Sequence, residues 1–364
     1  MIQANDFRRL WAEVESAAAE VFREVGASGW YILGKEVADF EQALARYWGF
    51  ASCVGVASGL DAIEIALRAL GCRAGDRVVT TPLSAFATTL AIVKVGAMPV
   101  FVDIDEHGLI DLDECRRALA KRARFVVPVH LYGHSLDLER LRALRAEFGC
   151  RMVEDCAQSI GATWKGQATG SAGDAAATSF YPTKNLGAFG DGGALLTQDG
   201  GLARTARALR DYGQTAKYRH DLLGSNSRLD ELHAALLHRV LLGRLPAWTR
   251  RREGIAGFYA NRIRNPKVRV PGAPPGSASC WHLFPVLVDD KTAFLGHLRA
   301  NGVAGGEHYP LLIPEQRAME GCAWESEGSL GRAREWSRRE VSLPIHPFLT
   351  DEEAARVADA CNLY

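Results

Sequence analysis

The chain has 364 residues, with 43 basic and 43 acidic side chains, so its formal net charge is zero. Hydrophobic residues make up 48% and charged residues 24%, an ordinary globular composition that excludes a disordered chain. No basic excess exists to bind nucleic acid through bulk charge, and no apolar run reaches the roughly 18–20 residues of a membrane helix. The length suggests two domains.

The N-terminal stretch MIQANDFRRLWAEVESAAAE reads as an amphipathic, charged helix rather than a signal peptide. From about residue 55 to 200, apolar runs alternate with helical patterns. RVVTTP (77–82) reads as a strand and SAFATTLAIVKVG (84–96) as a helix; MPVFVDID (98–105) is a strand and DLDECRRALAKR (111–122) a helix. FVVPVHLYG (125–133), RMVEDCA (151–157), AAATSF (175–180) and GALLT (193–197) are further strands, with a helix over 136–149. Strands apolar on both faces and separated by helices predict a mostly parallel sheet flanked by helices, with ligands beyond the strand C-termini. After Asn226 the pattern changes. Residues 227–263 read as one long helical region interrupted near Pro246, PGAPPGS (271–277) as a connector and CWHLFPVLVD (280–289) as a strand. A helix over 291–302 and two later helices complete a smaller α/β domain. The expected division is 1–245 for the large domain and 246–364 for the small one.

Eight cysteines are scattered without a C-x-x-C pair or zinc-site spacing, so no metal site is expected. They read as small buried residues in a reducing cytoplasm.

Three segments carry chemistry. VEDCAQSIGA (153–162) ends an apolar strand with Glu154 and Asp155, and strand alternation lets only one of them face a given site. SFYPTKNLGAFGDGG (179–193) sets Lys184 just past a strand end, in a loop dense in glycine, where a desolvated amine becomes nucleophilic. GVASGLDAIEIALRALG (55–71) runs from small residues straight into a helix, whose N-terminus suits an anion. Each has a bland alternative: a helix cap, a solvated lysine, an ordinary serine cap. No Rossmann or P-loop glycine pattern is present. Together a small-residue turn, a strand-end acid and a loop lysine fit pyridoxal 5′-phosphate.

In the order SGWYILGKEVADFE (28–41), ASGLDA (57–62), FVDID (101–105), VHLYGH (129–134), VEDCAQSIGA, SFYPTKNLGAFGDGG and GSNSRLDELHAALL (224–237), the chain resembles the sugar aminotransferases of the DegT/DnrJ/EryC1/StrS family, within the fold type I pyridoxal phosphate enzymes. The K-N-L-G-x-x-G-D-G-G form resembles the subgroup that aminates C3 of nucleotide-linked keto sugars. The resemblance implies that Lys184 forms the Schiff base and moves the proton, and that Asp155 partners the pyridine nitrogen. It places Gln158 at the ring oxygen and Phe86, the only aromatic in TPLSAFATT, on the ring. Gly59, Leu60, Asp61 and Ser179 would hold the phosphate, with Asn226 reaching in from the other subunit of a homodimer. Related dehydratases carry histidine at the lysine position, so Lys184 points to transamination. The implied donor is an amino acid, glutamate, and the acceptor a nucleotide-linked 3-keto-6-deoxyhexose. Tyr181 and His220 are expected to contact substrate. Two alternatives use the same core residues: an aminotransferase for another sugar carbon or a cyclitol ketone, and a pyridoxal phosphate-binding regulator or scaffold.

Overall fold

A computed structural model describes residues 1–364. Helices α1 (Phe7–Ser28) and α2 (Lys35–Trp48) lead to strand β1 (Ser52–Val56). Helices and strands then alternate: α3 (Gly59–Ala69), β2 (Arg77–Thr80), α4 (Phe86–Lys94), β3 (Met98–Val102), α5 (Leu112–Ala120), β4 (Phe125–Val127), α6 (Leu138–Phe148) and β5 (Arg151–Asp155). Strands β6 (Ala175–Ser179) and β7 (Gly193–Thr197) precede α7 (Gly200–Arg210). The remainder comprises α8 (Glu231–Ala235), α9 (Leu245–Arg262), β8 (Phe284–Leu287), α10 (Lys291–Ala300), β9 (Glu325–Glu327), α11 (Gly331–Arg339), β10 (Glu340–Leu343) and α12 (Asp351–Asn362).

Eight strands form the main sheet in the order β1-β7-β6-β5-β4-β2-β3-β9. Only β7 runs antiparallel to its neighbours; every other pair is parallel. Helices cover both faces, and the strands show it residue by residue. Val78 and Val79, adjacent in β2, enter different cores, as do Met152 and Val153 in β5. Such strands must be apolar throughout, which is why they are conspicuous in the sequence. The helices that cover them start on short polar caps: Asp6, Ser58, Asp111 and Asp137 each accept a hydrogen bond from a first-turn N–H.

Several expected boundaries shift for local reasons. The strand expected over 77–82 ends at Thr80, and that over 125–133 ends at Val127, because Pro128 has no N–H to give the ladder. The helical region expected over 227–263 begins at Glu231, passes through a π-helical turn at Leu236–Leu241, and restarts as α9. Pro246 therefore stands at the start of α9, where a missing N–H costs little. The strand expected over 280–289 is confined to β8. Strands β1, β9 and β10 carried no distinct sequence signal. Edge strand β9 has the acidic sequence Glu325-Ser326-Glu327, and Arg77 and Lys121 pair with its two glutamates at 2.6 and 2.9 Å.

Packing crosses the 245/246 line in both directions. One core joins Ile2 to residues between Ile255 and Cys361. Leu312, Ile313, Met319, Leu330, Ala333 and Trp336 instead pack into the core on one face of the main sheet.

The two acids that end β5 go to opposite sides. Glu154 is fully buried and accepts from the N–H groups of Gly170 (3.0 Å), Ala172 (2.7 Å) and Gly173 (2.6 Å), with His130 Nε2 2.8 Å from its Oε2. It fixes the loop that leads into β6. Glu154→Gln would turn an amide NH₂ toward these donors. We expect it to destabilise the protein by roughly 2–4 kcal/mol, read as a lower unfolding midpoint. The activity remaining per folded molecule should stay within about threefold of the parent.

Candidate active site

The C-terminal ends of β5 and β6 and the start of α3 meet at one place, the crevice where ligands of open parallel sheets bind. Asp155, the last residue of β5, is buried. Its Oδ2 accepts from Thr88 Oγ1 at 2.8 Å and its Oδ1 from the N–H of Ala157 at 3.0 Å. Thr88 lies in α4 and is itself 3.0 Å from Ser84 Oγ. The carboxylate is thus held from two sides.

Lys184 follows the end of β6 in a closed loop. Its N–H donates to Tyr181 O (2.8 Å), and the N–H of Ala188 donates to Phe180 O (2.7 Å). A Cβ at Gly187 would lie 2.4 Å from Pro182 O, so this tight loop requires glycine there. Burial pushes the Lys184 pKa below its ordinary value, against the pull of the nearby Asp155 carboxylate.

Helix α3 points its N-terminus at the end of β6. A Cβ on Gly59 would come within 2.7 Å of Ser179 Cβ, so only glycine permits this approach. Asp61, expected to offer its N–H to an anion, does not have it free: that N–H donates to Ser58 Oγ at 3.1 Å. Its carboxylate is engaged as well, accepting from Ser227 Oγ at 2.7 Å. The cradle therefore reduces to the N–H groups of Gly59 and Leu60, which have no partner within the helix, and to Ser179 Oγ, which accepts from the N–H of Tyr181 (3.2 Å).

Gln158 is oriented without ambiguity. Its Oε1 accepts from the N–H of Tyr132 (2.7 Å), and its Nε2 donates to Tyr309 Oη (3.2 Å). Phe86 is half-buried at the first position of α4, two residues from Thr88. Tyr181 is exposed on the lysine loop. His220 and Asn226 are exposed, and the chain does not bring them to Lys184. His220 Nδ1 lies 3.0 Å from Tyr212 O, and Asn226 adjoins Ser227, whose Oγ accepts from the N–H of Ala57 (3.1 Å).

Two histidines beside Lys184 were not anticipated. His282 Nδ1 lies 3.1 Å from Asn185 Oδ1, and Asn185 Nδ2 donates to Cys280 O at 3.0 Å. His308 Nδ1 lies 2.9 Å from Ser342 Oγ, whose hydroxyl donates to Glu340. The amide oxygen of Asn185 assigns the ring proton of His282 to Nδ1. Burial, then the Lys184 charge, lowers both pKa values, that of His308 to about 4. Burial raises buried Glu340 to about 8. Nothing in the sequence marked residues so distant in the chain as one cluster.

The donor set suits a flat phosphate ester with a basic ring nitrogen and a carbonyl. Free N–H groups and a hydroxyl would suit the phosphate, a buried carboxylate the ring nitrogen, and an amine the carbonyl. No group of three or more His, Cys, Asp or Glu side chains is placed to hold a metal ion, and no helix is long and apolar enough to cross a membrane.

Known proteins resemble this chain over nearly its whole length. The chain is 42% identical over 356 residues to a dTDP-3-amino-3,4,6-trideoxy-alpha-D-glucose transaminase of Streptomyces venezuelae, covering 97% of this chain and 92% of the relative. It is 40% identical over 365 residues to a dTDP-3-amino-3,6-dideoxy-alpha-D-galactopyranose transaminase of Aneurinibacillus thermoaerophilus, covering 100% and 99%. The crystal structure of DesV from S. venezuelae, in complex with a ketimine intermediate, superimposes with a TM-score of 0.95 at 40% identity, covering 100% of this chain and 97% of that one. Residues 13–362 match the model of one family, and the chain belongs to it: the DegT/DnrJ/EryC1/StrS aminotransferase family.

Proposed function

We propose that this chain is a pyridoxal 5′-phosphate-dependent aminotransferase that transfers an amino group from an amino acid, glutamate in this reading, to C3 of a nucleotide-linked 3-keto-6-deoxyhexose. The observation that carries the reading is the pairing of a buried, doubly held Asp155 with the partly desolvated amine of Lys184 at the strand ends. The names of relatives about 40% identical, both transaminases of dTDP-linked 3-amino sugars, support the substrate class.

Bound here, pyridoxal phosphate supplies a carbonyl for the amine and an electron-withdrawing ring. Asp155 would keep the ring nitrogen protonated, each pKa unit of that preference being worth about 1.4 kcal/mol. Gln158 Nε2 would donate to the ring oxygen, Phe86 would pack on the ring, and Gly59, Leu60 and Ser179 would bind the phosphate. Lys184 Nζ, less readily protonated than a solvated lysine, would carry a proton between the substrate carbon that bears the amine and the cofactor's carbonyl carbon, in one direction in the first half-reaction and in the reverse direction in the second.

The reading includes a homodimer with shared sites, in which Asn226 and His220 serve the neighbouring subunit and Tyr181 contacts the sugar. Supporting it, Tyr212, Tyr218, Leu222 and Leu223 form an exposed apolar surface around those residues. All eight cysteines are free, seven of them buried, which fits a cytoplasmic enzyme.

Borohydride treatment of the pyridoxal phosphate-loaded protein should add the cofactor's mass to the peptide containing Lys184. Lys184→Ala should lose that label and about 10³-fold or more of turnover; labelling elsewhere would refute the assignment. Asp155→Asn should keep the fold and lose most activity. Thr88→Val should lower kcat roughly tenfold and shift its pH profile, with Thr88→Ser restoring both. Among dTDP- and UDP-linked keto sugars, 3-keto compounds should be aminated, and turnover of 4-keto compounds alone would sink the C3 assignment.

A further inference from the structure

The chain buries two arginines, Arg210 and Arg252. Arg210 is neutralised by Glu41 and also donates to Gly55 O at 2.7 Å. Arg252, in α9, is only 5% exposed and donates through Nη1 alone, to Trp281 O and Ile345 O, both at 3.2 Å. Its Nε and Nη2 have no partner in the chain, and no carboxylate pairs with it. The titratable group that acts on it is the Cys280 thiol, which burial pushes up to about 12 and so keeps uncharged at neutral pH. Arg252 itself, lowered by burial to about 10, remains a cation. A buried charge without a counter-charge is destabilising, and Arg210 shows that this fold supplies one where its own side chains can.

Arg252 lines a cavity of about 30 Å³ between the N-terminal segment, the lysine loop and α9, together with Asp6, Pro182, Trp248, His346 and Phe348. Of the groups suited to the cofactor this cavity touches only Lys184, so it is separate from the crevice that Asp155 faces. Its volume admits one or two bodies the size of water, and no carboxylate or phosphate. His346 is 3% exposed, and its Nδ1 has no hydrogen-bond partner. Burial, then the Arg252 charge, lowers the pKa of this ring to about 4, so it is neutral at pH 7 and can offer an Nδ1–H. Asp6 is not the missing counter-charge. Its Oδ1 accepts from the N–H of Arg9 (3.0 Å), and its Oδ2 lies 3.3 Å from Arg9 Nε. Arg9 in turn donates to both oxygens of Glu353, at 2.6 and 2.7 Å. The cavity therefore joins an unpaired cation to an unpartnered imidazole nitrogen around a space of atomic size.

We propose that Arg252 and His346 bind a single halide ion, chloride in ordinary solution, as the counter-ion of the buried guanidinium. A water molecule in this space would satisfy the donors and leave the charge uncompensated. A one-atom anion does both. The guanidinium is itself weakly hydrated and suits an anion that sheds water readily, as chloride and bromide do. The ion fastens α9 and the segment after β10, which carry Arg252 and His346, against the lysine loop. It takes no part in amino transfer, so the proposal stands apart from the aminotransfer reading.

The test titrates the halide-free full chain with chloride, holding ionic strength constant with gluconate, which is too large for the cavity, and follows thermal unfolding. An ion that binds only the folded chain raises the midpoint, here saturably and by roughly 2–4 °C. Bromide should reproduce the rise. Arg252→Met removes the charge and with it the need for a counter-ion, so its midpoint should be independent of chloride. If that variant fails to fold, His346→Phe decides, because it keeps both bonds from Arg252 to carbonyl groups. It should require about fivefold more chloride for the same rise, the loss of one hydrogen bond. A parent midpoint indifferent to chloride, a rise that never saturates, or a response unchanged in the variants would overturn the proposal. A crystal grown in bromide supplies the direct view. An anomalous peak in contact with the Arg252 guanidinium and His346 Nδ1 supports the site. A water there, or a carboxylate from a second copy of the chain, overturns it.

Discussion

Strand β5 ends in two adjacent carboxylates, and the alternation of side chains along a strand sends them to opposite faces of the sheet. That geometry lets one short sequence do two incompatible jobs. Glu154 turns away from the crevice, where three backbone N–H groups and His130 satisfy it and fix the approach to β6. Asp155 turns into the crevice, where Thr88 and the N–H of Ala157 hold its two oxygens. The entry to β6 is held by the first acid, and the charge near the lysine is supplied by the second. A shift of one residue in the register of β5 would exchange them and leave a charge buried among apolar side chains.

The surroundings of Lys184 show how a basic cluster is kept from repelling itself. The lysine, His282 and His308 could bring three positive charges into one crevice. Burial prevents this by holding both imidazoles in their neutral forms, and Asn185 fixes the tautomer of His282 by accepting from its Nδ1–H. The lysine thereby remains the one cation in this cluster facing Asp155, and the positive field it experiences stays low enough for its own pKa to be set by desolvation.

The sequence makes the alternating half of the fold legible because strands buried on both faces leave no polar interruption. The Val78-Val79 and Met152-Val153 pairs are read easily for that reason. Residues 280–283 look like strand but leave the ladder to place His282 and the carbonyls of Cys280 and Trp281, a tertiary requirement that local composition does not encode. Lys184, Asp155 and the small-residue turn were legible because each lies at a strand end or helix start within one continuous motif. The Asp61 N–H is engaged by the Ser58 cap, itself evident in the sequence. His282 and His308 were not legible at all: they come from segments that share no pattern and meet only in three dimensions.

Those late segments also explain why chemistry at Lys184 depends on packing far from it. Glu340 and Ser342 lie in β10, which pairs with β8 inside the core that also contains Ile2. They act on the crevice through His308, whose carbonyl in turn accepts from Tyr132 Oη (2.6 Å), beside Gln158. Arg252 of α9 ties the segments that flank β8 and β10 together through the carbonyls of Trp281 and Ile345. The main sheet thus fixes the groups suited to the cofactor, while the C-terminal core sets the protonation and position of the groups around the lysine. A substitution that loosens β10 without touching the sheet should therefore disturb proton transfer more than cofactor retention, because the phosphate cradle and Asp155 belong entirely to the sheet and its helices.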